Sequence, residues 1–311
     1  MDGLTRRRAG ASRLRVFFEL GKFKIVELWL GFCVGVALLG RTPLHDGRSL
    51  AILALILLAG IAVIAATCSL DDIVGVRDGV DQATHSHGTR WGVDKPILTG
   101  RLDEESAFRF IYLLGAVAVL GYAAVLVLAW PLPGWLLATM TAMMLLAVNY
   151  SYGLKLSYRG AGEFVIFTGG VGTVLLPYAL VAKAAPPIVV ISAVLVGSWH
   201  AQVVMFSNTK DADGDRATGR MTIAARTSPR GNKVFIATVF VLFWGFTALA
   251  LGARFIPAWY ALALAPVWAM QVAQLWLGLH REQWLAARLC GFRVLRVGII
   301  SLTLFNIGFA P

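Results

Sequence analysis

The chain has 311 residues, of which 58% are apolar and only 14% are charged, and its mean hydropathy is +0.72. Soluble domains usually carry about 25% charged residues, so this composition excludes a soluble globule. No repeat or low-complexity tract indicates a solenoid, a collagen or a coiled coil. The net charge of +11 then fits loops at an anionic membrane surface better than a nucleic-acid site. We therefore predict a polytopic membrane protein that has the lipid bilayer as a partner and binds no nucleic acid.

The first 23 residues are rich in arginine and precede no small-residue cleavage site, so we interpret them as a basic leader rather than a signal peptide. A transmembrane helix needs about 20 mostly apolar residues. Residues 24–311 contain nine candidates, which predict a single all-α domain with nine transmembrane helices. The candidates, in chain order, are 24–40, 49–70, 107–129, 135–150, 162–182, 187–207, 234–252, 257–277 and 291–309.

The distribution of basic residues predicts the topology. With the N-terminus in the cytoplasm, the loops on that side carry 23 of the lysines and arginines, whereas the opposite loops carry four. Because cytoplasmic loops are enriched in Lys and Arg, this split favours a cytoplasmic N-terminus and an odd number of crossings. We expect an integral, multi-pass protein of a bacterial cell membrane.

Acidic residues are scarce, but seven of the 17 lie in two short segments that follow the second and the sixth predicted helices. The first acidic segment, residues 71–81, contains Asp71, Asp72, Asp78 and Asp81. The second acidic segment, residues 208–216, contains Asp211, Asp213 and Asp215. The topology places both segments at the cytoplasmic mouth. Clustered carboxylates at a membrane edge repel one another unless cations neutralise them, and all-oxygen ligands suit Mg²⁺ bound together with a phosphate. The pattern favours a magnesium–diphosphate site over two solvated loops.

Helical spacing sorts the acids within each segment. Asp211 and Asp215 are four residues apart and share one face of a helix with Asn208, whereas Asp213 points elsewhere. In the first acidic segment Asp71 and Asp78 share a face if the helix continues, and we expect Asp81 to lie in a loop. Departure of a diphosphate needs basic groups nearby. The candidates are Lys95, Arg101, Lys155, Arg159, Lys210 and Arg216. A topological charge is the favoured explanation for most basic loop residues taken alone, whereas Lys155, Arg159 and Lys210 are the better candidates because they lie at helix mouths.

Three stretches resemble the UbiA superfamily of intramembrane prenyltransferases. Residues 208–216 (NTKDADGDR) resemble its second aspartate motif, and residues 152–163 (YGLKLSYRGAGE) resemble its naphthoate (menaquinone-type) branch. Residues 95–102 (KPILTGRL) are similar to the segment that follows its first motif. The resemblance covers most of the chain, including the nine-helix count. It implies a UbiA-like fold and an Mg²⁺-dependent reaction of an isoprenoid diphosphate, of C10–C20 or longer, at the cytoplasmic side.

The resemblance also implies roles for individual residues. The implied metal ligands are Asp71, Asp72, Asp78, Asp81, Asp211 and Asp215. The implied diphosphate-binding residues are Lys95, Arg101, Asn208 and Arg216. The implied catalytic residues are Tyr152, Lys155, Arg159 and Lys210.

The first acidic segment (DDIVGVRDGVD) departs from the family pattern of Asn-Asp-x-x-Asp followed by Gly-x-Asp. Asp71 stands where the family has Asn, and Gly75 stands where it has the second Asp, whereas Gly79 and Asp81 match. We interpret Asp78, nearly one turn beyond Gly75, as a replacement for the missing carboxylate.

Two outcomes follow ionisation of an allylic diphosphate. An aromatic or other hydrophobic acceptor can capture the carbocation, which is prenyl transfer, or the chain's own double bond can attack it, which is the reaction of a UbiA-type terpene cyclase. The likeness of residues 208–216 and 152–163 to the naphthoate branch favours transfer, while the altered first acidic segment keeps cyclisation open. A transporter and a non-catalytic scaffold are less favoured alternatives, because the acids cluster at one mouth rather than at midplane.

Overall fold

The computed structural model describes residues 13–40, 45–85 and 95–309, and every regular element among them is helical. The helices are α1 (Arg13–Leu20), α2 (Glu27–Leu38), α3 (Gly47–Arg77), α4 (Val80–His85), α5 (Glu104–Ala129), α6 (Gly134–Val148), α7 (Gly162–Ala182), α8 (Pro187–Ala217), α9 (Ile223–Arg226), α10 (Pro229–Gly252), α11 (Tyr260–Leu275) and α12 (Trp284–Phe309). A 3₁₀ turn covers Leu156–Arg159, and a π-helical turn, Trp276–His280, extends α11.

Seven helices among the described residues are long and apolar enough to cross a bilayer: α3, α5, α7, α8, α10, α12 and α11 with its π turn. Helices of this length and composition make the chain an integral, multi-pass membrane protein. The other two predicted segments contain the shorter apolar helices α2 and α6. The count of nine crossings and the side of the N-terminus stay predictions, as does the division into a leader and one domain.

Two helices continue well past their predicted ends. Helix α3 runs seven residues beyond the predicted end at 70 and α8 runs ten beyond 207, so both acidic segments begin on helices rather than in loops. The prediction of a loop at Asp81 was wrong, because Asp81 belongs to the short helix α4. Gly79 adopts φ +77°, a left-handed conformation that favours glycine and reverses the chain between α3 and α4.

Helix α8 is the most buried of the candidate spans and packs against α7 and α12. Small residues let these helices approach closely, as is usual where apolar burial cannot drive association in lipid. Around α8 lies an apolar cluster that includes Val174, Val196, Trp199 and Leu295. A second apolar cluster, which includes Ile56, Leu136, Leu176 and Leu180, joins α3, α6 and α7 towards the ends that lie away from the acidic segments.

The contact between α8 and α12 predicts a stability effect. A Cβ placed on Gly298 would lie 2.4 Å from Cζ3 of the buried Trp199. We expect Gly298→Ala to lower the free energy of unfolding by about 1–3 kcal/mol, the usual effect of overpacking. Thermal unfolding of the detergent-solubilised protein measures it. Gly308→Ala, in the same helix and in open space, is the control, and equal melting temperatures for the two variants would contradict the tight contact.

Candidate active site

The last turns of α3 carry two adjacent aspartates that face different neighbours. Asp71 accepts a hydrogen bond of 2.5 Å from Ser151 Oγ. Asp72 is fully buried, and its Oδ1 lies 3.0 Å from Lys22 Nζ and 3.3 Å from Lys95 Nζ. Burying a carboxylate is costly unless it is paired with a cation, and these two ammonium groups supply that pairing for Asp72.

Asp81 lies directly over Gly75. A Cβ placed on Gly75 would be 2.7 Å from Oδ1 of Asp81 and 3.0 Å from its Oδ2. The carboxylate of Asp81, which is paired with Lys95, thus occupies the space beside the position where the family has its second aspartate. Burial raises the pKa of the Asp81 carboxyl, as do Asp72 and Asp71, while Lys95 opposes the shift.

Asp78 does not take that place. It caps the C-terminus of α3, is half-exposed and forms a 2.6 Å ion pair with Lys155 Nζ. Neither partner lines the cavity described below. The interpretation of Asp78 as the replacement for the missing carboxylate is therefore corrected: the residue beside Gly75 is Asp81, which α4 folds back over the end of α3.

The second acidic segment continues α8 and keeps its helical register. Asn208 Nδ2 donates a 2.8 Å hydrogen bond to Oε1 of the buried Glu163. Asp211 lies 3.2 Å from Lys210 Nζ, and the buried Asp215 accepts a 3.3 Å hydrogen bond from Thr222 Oγ1. Asp213 points into solvent, where it pairs with Arg216, which agrees with the face predicted from spacing.

Both acidic segments reach one cavity of about 720 Å³, whose polar end is lined by Asp71, Asp81, Asp211 and Asp215. Residues 130 or more apart in sequence therefore meet at one place. Arg220 connects the two segments electrostatically: burial lowers the pKa of its guanidinium, but Asp71 and Asp215 raise it, and the net shift is upward.

The basic side chains divide into two groups. Of the predicted diphosphate-binding and catalytic residues, Lys95, Asn208 and Lys210 line the cavity. Arg101 instead binds Glu19 Oε2 at 2.8 Å, and Arg216 binds Asp213 and the carbonyl of Ala225. Lys155, Arg159 and Tyr152 also lie outside the cavity lining, and Tyr152 is 59% exposed.

Three basic residues of the cavity lining were missing from the predicted site. Lys22, counted as a charge of the leader, is buried beside Asp72. Burial lowers the pKa of its ammonium and Asp72 raises it, with a net upward shift, so Lys22 stays protonated. Arg220 and Arg288 also line the cavity, and Arg288 Nε is buried with no hydrogen-bond partner among the described residues. Only Arg220 had a sequence signal, since it lies just beyond the second acidic segment.

The remaining wall of the cavity is largely apolar. It includes Trp29, Phe32, Ile64, Leu176 and Val203. Tyr150 lines the cavity at its polar end. His200 also reaches the cavity, but both ring nitrogens contact backbone carbonyls, of Val196 and Glu27, so it is held as a packing residue.

Comparison with known proteins gives the family. The model of the UbiA prenyltransferase family matches residues 28–295, and the chain belongs to that family. A solved structure of a digeranylgeranylglyceryl phosphate synthase is 15% identical, with a TM-score of 0.63 over 95% of this chain and 99% of that chain. A UbiA homologue from Archaeoglobus fulgidus bound to DMAPP and Mg²⁺ is 12% identical, with a TM-score of 0.59 over 93% and 99%. No curated protein matches the chain.

The positions of Asp81 and Asp78 lead to a paired prediction. We expect Asp81→Asn to lower the Mg²⁺-dependent turnover of an allylic diphosphate by at least about tenfold, the usual effect of disturbing a metal site. Asp78→Asn removes only a half-exposed ion pair, which contributes little, and should leave turnover almost unchanged. Release of pyrophosphate measures both. A larger loss in Asp78→Asn than in Asp81→Asn would contradict the assignment.

Proposed function

We propose that this protein ionises an allylic isoprenoid diphosphate in a Mg²⁺-dependent reaction and transfers the prenyl group to an aromatic or other hydrophobic acceptor, releasing diphosphate. One observation carries the proposal: carboxylates of both acidic segments and several basic side chains converge at the polar end of one largely apolar cavity. Such a cavity suits a substrate with a charged head and a hydrocarbon tail. The homologue of the same fold that binds DMAPP and Mg²⁺ supports this substrate class.

The donor set at the polar end fits magnesium. Carboxylate oxygens from Asp71, Asp81, Asp211 and Asp215 line the cavity, and Mg²⁺ typically takes one or two carboxylates and completes its shell with water and substrate phosphate. Among the described residues no three acidic, histidine or cysteine side chains lie close enough to hold one ion. The arrangement therefore fits Mg²⁺ that is shared with the diphosphate. Bound Mg²⁺ would supply positive charge to the phosphate oxygens.

The basic residues would stabilise the leaving group. As the allylic C–O bond breaks, its electron pair leaves with the diphosphate, and negative charge grows there. Lys22, Lys95 and Lys210 present ammonium groups to the cavity, and Arg220 adds a guanidinium that Asp71 and Asp215 hold in its charged form. Charges fixed in a site that excludes water stabilise such a developing anion far more than charges in solution do.

The apolar wall would protect the carbocation. Water would quench an allylic cation, so the reaction needs a dry cavity with polarisable surfaces. Aromatic faces attract cations, and Trp29 and Tyr150 both line the cavity. We propose that Tyr150 stabilises the cation near the polar end, in place of the exposed Tyr152.

A second cleft supports transfer over cyclisation. It has a volume of about 700 Å³ and shares Thr84, Lys210 and Asp211 with the main cavity. Trp284 and Leu289 of α12 form part of its apolar wall. An acceptor in this cleft would approach the reacting carbon from the mouth, whereas a cyclase needs no second compartment. We place this mouth on the cytoplasmic side of a bacterial cell membrane, because the topology predicted from the sequence puts both acidic segments on the side that carries 23 of the lysines and arginines.

The helical face of the second acidic segment predicts a contrast between neighbours. We expect Asp211→Asn to lower turnover by about 100-fold or more, because it removes charge at the position where the diphosphate is held. Asp213→Asn changes the same functional group two residues away, on a fully exposed side chain that lines the second cleft but not the main cavity, and should leave ionisation of the allylic diphosphate almost unchanged. Steady-state pyrophosphate release compares them. Equal losses would show that the cavity-facing position of Asp211 is irrelevant to catalysis.

Product analysis decides between transfer and cyclisation. The purified protein is incubated with an isoprenoid diphosphate and Mg²⁺, with and without a hydroxylated aromatic acceptor, and the products are identified by mass spectrometry. We expect a prenylated aromatic only when the acceptor is present. A cyclic hydrocarbon or terpenol formed without acceptor would replace transfer by cyclisation, and the absence of pyrophosphate release under all conditions would reject both.

A further inference from the structure

The cavity follows α3 for about half of its length. Its lining residues on this helix extend from Asp71 through Cys68, Ile64 and Gly60 to Ile56. An α-helix rises 1.5 Å per residue, so the 15 residues from Asp71 to Ile56 correspond to about 22 Å. The cavity is therefore a deep channel that starts at the carboxylates and not a shallow pocket around them.

The opposite wall gives a similar depth and shows where the channel ends. On α7 the lining extends from Val165 to Pro177, which is about 18 Å of helix. Tyr122 of α5 lines the same deep region. There Ile56 and Leu176 belong to the second apolar cluster, whose members Leu136 and Leu180 are fully buried. This cluster closes the channel at the end away from the carboxylates.

The depth sets the length of the hydrocarbon chain. An extended chain advances about 1.2 Å per bond, as in an extended polypeptide, so an isoprene unit with four main-chain bonds spans about 5 Å. A channel of about 18–22 Å holds about four such units. We propose that the preferred substrate is a C20 isoprenoid diphosphate, an inference that rests on the proposed function and assigns the substrate within it.

Gly60 determines this length. A Cβ placed on Gly60 meets no neighbouring atom within 4 Å, although the residue lines the channel. It lies 11 residues from Asp71, or about 16 Å along the helix, where the third isoprene unit ends and the fourth begins. A larger side chain at this position would fill the space of the fourth unit and leave the first three and the carboxylates unchanged.

The test measures turnover against chain length. The wild type is assayed for pyrophosphate release with C10, C15, C20 and C30 diphosphates, and we expect kcat/KM to be highest for C20. Gly60→Leu should lower kcat/KM for C20 by at least about tenfold, as steric exclusion from an apolar pocket does, while C10 stays close to the wild-type value. Gly245→Leu, at an exposed and open glycine of α10, is the matched control and should keep the wild-type profile.

A binding experiment separates this inference from the proposed reaction. Cys68 lines the channel beside Asp71, so in a Cys33→Ser, Cys290→Ser background a thiol reagent reports occupancy. Thiolodiphosphate analogues of graded length, which resist ionisation, should protect Cys68 at the lowest concentration when the chain is C20. If the C20 analogue protects Cys68 best but no diphosphate releases pyrophosphate, the proposed reaction is rejected and the preferred chain length is retained. Equal protection by C10 and C20, a preference for C30, or a uniform loss in Gly60→Leu would overturn the C20 assignment.

Discussion

The repulsion among carboxylates at the membrane edge is the constraint on which this structure depends. Asp72, Asp81 and Asp215 are all nearly excluded from solvent, and like charges so placed disfavour ionisation unless cations lie close by. Lys22 and Lys95 meet Asp72, and Arg220 interacts with both Asp71 and Asp215. The charge balance thus requires segments from both halves of the chain, which is why α3 and α8 continue beyond their apolar portions to the same place.

The N-terminal segment contributes to this charge balance in addition to any role of its basic residues in membrane topology. Helix α1 is held by the buried Glu19, whose Oε2 accepts a 2.8 Å hydrogen bond from Arg101. Burial raises the pKa of the Glu19 carboxyl, but the hydrogen bonds from Arg101 and Arg15 lower it by more. The net shift is downward, so the carboxylate stays charged. This anchor positions Lys22, which follows α1, beside Asp72. Arg101, which the resemblance assigns to the diphosphate, instead pairs with Glu19 and so anchors the segment that carries Lys22.

Sequence reasoning succeeded where one helical period decided the geometry. The spacing of Asn208, Asp211 and Asp215 placed them on one face, and α8 continues without a break through all three. Sequence reasoning failed where a turn decided the geometry. Lys155 has φ 48°, and its turn directs the ammonium to Asp78, outside the cavity. Lys22 meets Asp72 across 50 residues, a pairing that no local pattern encodes.

In the altered first acidic segment, the position of each carboxylate in space matters more than its position in the sequence. In this chain a side chain at position 75 would require Asp81 to move, because a Cβ at 75 would lie 2.7 Å from Asp81 Oδ1. The family pattern has acids at both positions, so the Asp81 carboxylate here takes the space that the missing side chain leaves, and the polar end keeps an acid at that location. Asp71, which stands where the family has Asn, adds the carboxylate that Gly75 removes. Because the segment loses no acid on balance, the departure from the family pattern alone gives no physical reason for a changed reaction.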